Sequence, residues 1–98
     1  MTIRELLGEG RRIWGVKALS LSEIIVRMGK SFGDLCRWER SADKDQATHT
    51  DEALKKELGN MIFSTIRWCD DLGYEPEECI RIAIEAQEKF VKENPSRV

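Results

Sequence analysis

Lys30-Ser31-Phe32-Gly33-Asp34-Leu35 and Lys56-Glu57-Leu58-Gly59-Asn60-Met61 are two versions of one short pattern, each set inside a segment of helical periodicity. Side chains at i and i+3 share a helix face, so Ser31 with Asp34, and Glu57 with Asn60, each present two oxygen-bearing groups together. If the two helices pack antiparallel, the pairs face one another. Gly33 and Gly59 stand just before the last member of each pair, and a glycine inside a helix costs about 1 kcal/mol relative to alanine. Close approach of the helices beside the polar groups is the expected compensation. Hard cations such as Mg²⁺ take carboxylate and water oxygens, often through one or two carboxylates plus the phosphates of a substrate. Asp34 and Glu57 supply two such carboxylates.

Outward from these segments the chain reads as four helices with almost no strand signal. Thr2 caps a first helix to about Ile13, and Trp14-Gly15 with the residues up to Leu19 form a connection. Ser20 followed by Glu23 is a capping box opening a second helix to about Arg40. Ile24, Ile25, Met28, Phe32, Leu35 and Trp38 recur on it at three- and four-residue spacing and predict one buried stripe. Residues 41–50 are polar and aperiodic, a loop with Thr50 or Asp51 at the next helix start. A third helix to Leu72 carries Leu54, Leu58, Met61, Ile62, Thr65, Ile66 and Cys69 inward, and Gly73 stops it. Pro76, with Glu77 and Glu78 at the positive end of the helix dipole, opens a fourth helix through Ile80, Ala83, Ile84, Gln87, Phe90 and Val91, and Pro95 lies beyond its end.

At 98 residues the chain makes one domain, 1–98, with its core at about 20–93; 41% hydrophobic and 35% charged residues with two prolines suit a folded helical protein. A net charge of −2 gives no general reason to bind nucleic acid or a membrane surface. No apolar run approaches the roughly 20 residues that span a bilayer, and Met1-Thr-Ile-Arg-Glu5 lacks a signal peptide's apolar stretch. A soluble cytoplasmic protein is expected. Cys36, Cys69 and Cys79 are odd in number, lack C-x-x-C spacing and fall within helical patterns, which predicts buried free thiols. Broad apolar faces on helices two to four leave surface to cover. The expected fold is therefore all-α, an antiparallel helical bundle completed by homodimerisation.

The doubled pattern resembles the MazG-like all-α nucleotide pyrophosphohydrolases, whose motif is E-E-x-x-E on one helix and, after a spacer, E-x-x-D on the next. Glu57-Leu-Gly-Asn60-Met-Ile, followed by Trp68-Cys-Asp-Asp-Leu-Gly73-Tyr-Glu-Pro-Glu-Glu-Cys79, is similar to that family's helix, glycine stop and acidic helix start. The likeness covers about residues 20–93. It implies a nucleoside triphosphate pyrophosphohydrolase that splits NTP or dNTP into monophosphate and pyrophosphate with Mg²⁺, as a homodimer or dimer of dimers. Carried over position by position, it implies Asp34 and Glu57 as catalytic and metal-binding residues, with Asn60 and Ser31 completing the metal set. Lys30 and Ser31 stand where the family has its first two glutamates, Asp34 replaces the third, Glu57 is kept, and Asn60 replaces the closing aspartate. Fewer anionic ligands weaken a divalent cation site. Lys30 instead offers a point charge to a nucleotide phosphate, or it is a solvated surface lysine.

Trp14, Trp38 and Trp68 can stack on a base or anchor the core, and Trp14 is the one that no helical stripe explains. Lys92 and Arg97 belong to a basic tail that, in the resembling family, would close over phosphate, or that frays as a chain end. His49 reads as a lone surface histidine. Arg37, Arg40 and Lys44 read as a solvated charged face. Three functions stay open: the pyrophosphohydrolase, a catalytically degenerate nucleotide-binding or regulatory protein, and a helical protein–protein interaction module.

Overall fold

The longest helix is the one the others lean on. In this computed structural model, α1 (Ile3–Trp14), α2 (Leu21–Arg40), α3 (Asp51–Asp71) and α4 (Pro76–Glu93) are followed by a 3-10 turn, Pro95–Arg97. α3 packs against each of α1, α2 and α4. The structure describes residues 1–41 and 49–97, the side chain of Arg97 excepted. Most of the predicted 41–50 loop, with Asp43 and Lys44, lies outside the described residues. Among the described residues there is no strand, and no helix is long and apolar enough to cross a membrane.

Local chemistry fixes the helix ends. The Thr2 hydroxyl accepts the Glu5 backbone N–H while the Glu5 carboxylate accepts that of Thr2, a capping box at the start of α1. Ser20 and Glu23 do the same for α2. The Glu23 carboxyl is held below its ordinary range by that backbone N–H and by the Ser20 hydroxyl. At α3 the Thr50 hydroxyl accepts the Ala53 N–H. Gly73, at φ 81, closes α3: its N–H bonds the Asp70 carbonyl and the Tyr74 N–H bonds the Cys69 carbonyl, each at 2.9 Å. This is the left-handed stop that glycine permits without steric cost. Pro76 opens α4 where a missing N–H costs nothing.

α2 and α3 run antiparallel. Trp38, near the end of α2, donates its indole N–H to the Thr50 carbonyl at 3.0 Å, and His49 lies on the Trp38 ring with centroids 4.0 Å apart. The His49 Nδ1–H donates to the Trp38 carbonyl at 2.8 Å. The reading of His49 as a lone surface residue is thus corrected. It is half-buried and clasps the two ends of the loop together, a tertiary contact that no periodic pattern announces. Trp14 also moves, from the predicted connection to the last turn of α1.

The predicted buried stripes are only partly buried. Among the described residues Ile24, Ile66 and Trp68 are the buried apolar side chains, whereas Ile25, Met28 and Phe32 of α2, Leu58 and Ile62 of α3, and Ile80, Ile84, Phe90 and Val91 of α4 are exposed. The physical reason is that helix periodicity specifies which face seeks cover, not whether the same chain supplies it. α4 touches only α3 and the terminal turn with any extent, so among the described residues its apolar face is left largely uncovered. The three cysteines carry free thiols and are half-buried, not buried; burial first, and the nearby Cys79 thiol second, push Cys69 up to about 11.

Gly33 and Gly59 do not mark close helix contacts. A Cβ built on either meets nothing within 4 Å, while at Gly10, where α1 lies on α3, it meets Arg67 Cβ and Phe63 at 3.9 Å. Among the described residues, the compensation expected for Gly33 and Gly59 is therefore absent. Gly33→Ala and Gly59→Ala are each expected to stabilise the helices by about 0.5–1 kcal/mol, as read by urea unfolding. A loss of stability at either position, rising with protein concentration, would instead place that glycine against a second copy.

Candidate functional site

Two ladders of side chains face each other across α2 and α3. Arg27, Lys30, Ser31 and Asp34 follow one another at three- and four-residue steps on α2; Asn60, Phe63, Ser64 and Arg67, with Trp68, do so on α3. Together with Ile13 and Trp14 from the end of α1 they line a cleft of about 360 Å³. Antiparallel packing sets the order along it: Asp34 opposite Asn60 towards one end, and Arg27 opposite Arg67 towards the other.

The α1 terminus makes the roof. Gly15 takes φ 82 and ψ −167, a backbone state essentially reserved for glycine, and so ends the helix directly after Trp14. The Trp14 ring, 58% exposed, lies 5.2 Å from the guanidinium carbon of Arg67, within cation–π range. Arg67 is largely buried, with its Nε 3.7 Å from the Asp71 carboxylate. That separation is too long for a hydrogen bond, and Asp71 Oδ2 has no hydrogen-bond partner among the described residues. The Arg67 fork is therefore fixed in direction by the indole and Asp71 without being saturated. Arg11 adds a tie from α1 to α3 through Asp70 at 3.1 Å.

The sequence-derived residues divide. Ser31, Asp34, Asn60, Lys30, Trp14 and Trp68 all line the cleft. Glu57 does not line it; its side chain, 15% exposed, lies one turn before Asn60 with an oxygen 3.6 Å from Lys56. Lys92 is exposed on α4, beside Ile84, Gln87 and Val91, and Arg97's side chain lies outside the described residues. Asp34 is paired with Arg37 at 3.3 Å, so one member of the supposed solvated charge run has a partner. Arg27 and Arg67 were not picked out by the motif. Stepping back from Ser31 and Asp34 by a helical turn, and forward from Asn60 by two, finds them.

The cleft offers a divalent cation few anionic donors of its own. Among the described residues no three His, Cys, Asp or Glu side chains converge. Asp34 is the cleft's one carboxylate, against the cations Arg27, Lys30 and Arg67, and Mg²⁺ demands an oxygen shell near octahedral. What the arrangement can do is hold an anion: two arginines and a lysine converge beside an exposed indole. No protein-family model, curated protein or solved structure matches the chain.

Proposed function

We propose that this chain is a MazG-like nucleotide-binding protein, a dimeric helical domain whose α1–α2–α3 cleft takes a nucleoside triphosphate. The observation that carries the reading is the convergence, in one cleft, of three motif positions, Ser31, Asp34 and Asn60, with an exposed Trp14 ring and three cations. A base can stack on the exposed face of Trp14 while phosphates lie against the adjacent cations, where the guanidinium forks match phosphate oxygens. The half-buried free thiols accord with a reducing, cytoplasmic setting.

Exposed area supports a second copy. The chain exposes 7949 Å², whereas a compact monomer of this size exposes about 5,700 Å². Its radius of gyration is 16.2 Å, against about 13 Å for a globule of similar length. Removing the excess from each of two copies would bury roughly 4,500 Å², within the range of about 2,000–5,000 Å² for obligate homodimers. The exposed apolar face of α4 is the part of the surface most in need of that cover, and a dimer of dimers would extend the same logic.

A Mg²⁺-dependent pyrophosphohydrolase is the second reading, favoured by the placement of Ser31, Asp34 and Asn60 on one cleft; the excess of cations and the position of Glu57 weigh against it. Melting and pyrophosphate release, measured across a panel of ribo- and deoxyribonucleoside triphosphates with Mg²⁺, separate the two. Stabilisation that grows with ligand concentration, without pyrophosphate, is the expected result. Turnover abolished by Asp34→Ala and by Glu57→Ala in folded protein would install the hydrolase instead. A protein indifferent to every nucleotide would be a helical interaction module.

A further inference from the structure

We infer that the cleft grips a polyphosphate directly through Arg27, Lys30 and Arg67, with no divalent cation between ligand and protein. The inference rests on the reading of the cleft as a nucleotide site and adds how the phosphates are held.

Charge, reach and prior order each favour a direct grip. Arg27 and Lys30 lie at i and i+3 on the face of α2 that lines the cleft, and Arg67 answers from α3. Among the described residues neither Arg27 nor Lys30 has a carboxylate within 4 Å. Glu23, one turn before Arg27, interacts with it at longer range and is itself engaged in the α2 capping box. Arg67 is ordered before any ligand arrives, between the Trp14 ring at 5.2 Å and Asp71 at 3.7 Å. A planar guanidinium so fixed loses little freedom on binding, and its fork suits two phosphate oxygens.

A carrier metal would work against this arrangement. Mg²⁺ bound to a polyphosphate cancels part of the negative charge that the three cations recognise, and its positive charge would be brought towards theirs. Asp34 stands towards the opposite end of the cleft from Arg67, beside Asn60, and repels phosphate there. Charge alone thus orients the ligand, phosphates towards Arg27 and Arg67. The ligand class is a chain of two or three phosphates, either on a nucleoside or free, and the aromatic contact at Trp14 distinguishes them.

Isothermal titration of the full chain with ATP and with inorganic tripolyphosphate, each in EDTA and in excess Mg²⁺, tests the inference. Both ligands are expected to bind in EDTA at least as tightly as in Mg²⁺, with ATP the tighter. Arg27→Glu and Lys30→Glu, both at exposed positions, should each weaken binding by at least about tenfold. Lys55→Glu, an exposed charge paired with Glu52 outside the cleft, should leave it unchanged. Binding that requires Mg²⁺ and vanishes in EDTA would overturn the direct grip while leaving the nucleotide site standing. Binding in EDTA that neither charge reversal weakens would also overturn it. Silence from both ligands in both buffers would remove the nucleotide reading, and the inference with it.

Discussion

In the proposed dimer, Ile84→Glu and Val91→Glu are each expected to weaken association by about a hundred- to several-thousand-fold, the equivalent of roughly 3–5 kcal/mol for one uncompensated buried charge. Both residues sit on the same strip of α4, seven residues apart and so nearly in line along the helix. Among the described residues neither is covered: Ile84 is 53% exposed. A glutamate there is harmless to an isolated helix and damaging only where a partner would exclude water. Ile82→Glu is the control, because Ile82 is equally open but falls off the stripe. Sedimentation equilibrium should return twice the chain mass for the wild type and for Ile82→Glu, and a dissociating species for the other two. Helicity should fall along with mass, since a chain with so small an interior keeps little stability once its partner is gone. Unchanged association in both Ile84→Glu and Val91→Glu would remove α4 from any interface.

Trp68→Ala should cost about 3–5 kcal/mol of stability, a large part of the 5–15 kcal/mol typical of a whole domain. Trp68 is 5% exposed and is one of the buried apolar side chains, so its removal opens a cavity in the helix that supports the other three. The same ring lines the cleft, which ties the floor of the candidate site to the core. Urea unfolding at fixed protein concentration, followed by far-UV circular dichroism, measures the loss. Trp68→Phe, which keeps much of the apolar volume, should recover more than half of it. A Trp68→Ala protein within 1 kcal/mol of wild type would mean that α3 draws its anchorage from elsewhere.

What the sequence disclosed, and what it withheld, follows the range of the interactions involved. Ser20 with Glu23, Thr50 ahead of Asp51, Gly73 and Pro76 act within a turn of where they stand, and the helix ends they predict are those observed. The doubled pattern brought Ser31, Asp34 and Asn60 to one cleft because three- and four-residue steps are properties of any helix. Burial was less legible. Ile66 and Trp68, both buried, are two positions apart and therefore point in directions roughly 200° different. A helix wrapped by three neighbours has no single inner stripe, so the stripe drawn through Leu58, Ile62 and Thr65 caught exposed residues and left Trp68 out. Gly33 and Gly59 misled for a related reason: a propensity cost shows that something is unusual at a position without saying what offsets it. Arg27 and Arg67 went unread because a cation on a helix is ordinarily a solvated one. Only the opposing ladder gives them a common purpose.

In the proposed dimer, the sharing of α3 would couple two events that are otherwise independent. One face of that helix carries Arg67 and Trp68 into the cleft, and its Gly73 stop hands the chain directly to α4. A ligand and a partner subunit would thus be read by one rigid rod. Thermodynamic linkage then leaves no freedom of sign: whatever factor an occupant of the cleft imposes on assembly, assembly imposes on the occupant. A cleft that tightened with subunit pairing would report the concentration of the protein itself, and a subunit contact that tightened with ligand would report the supply of phosphorylated small molecules.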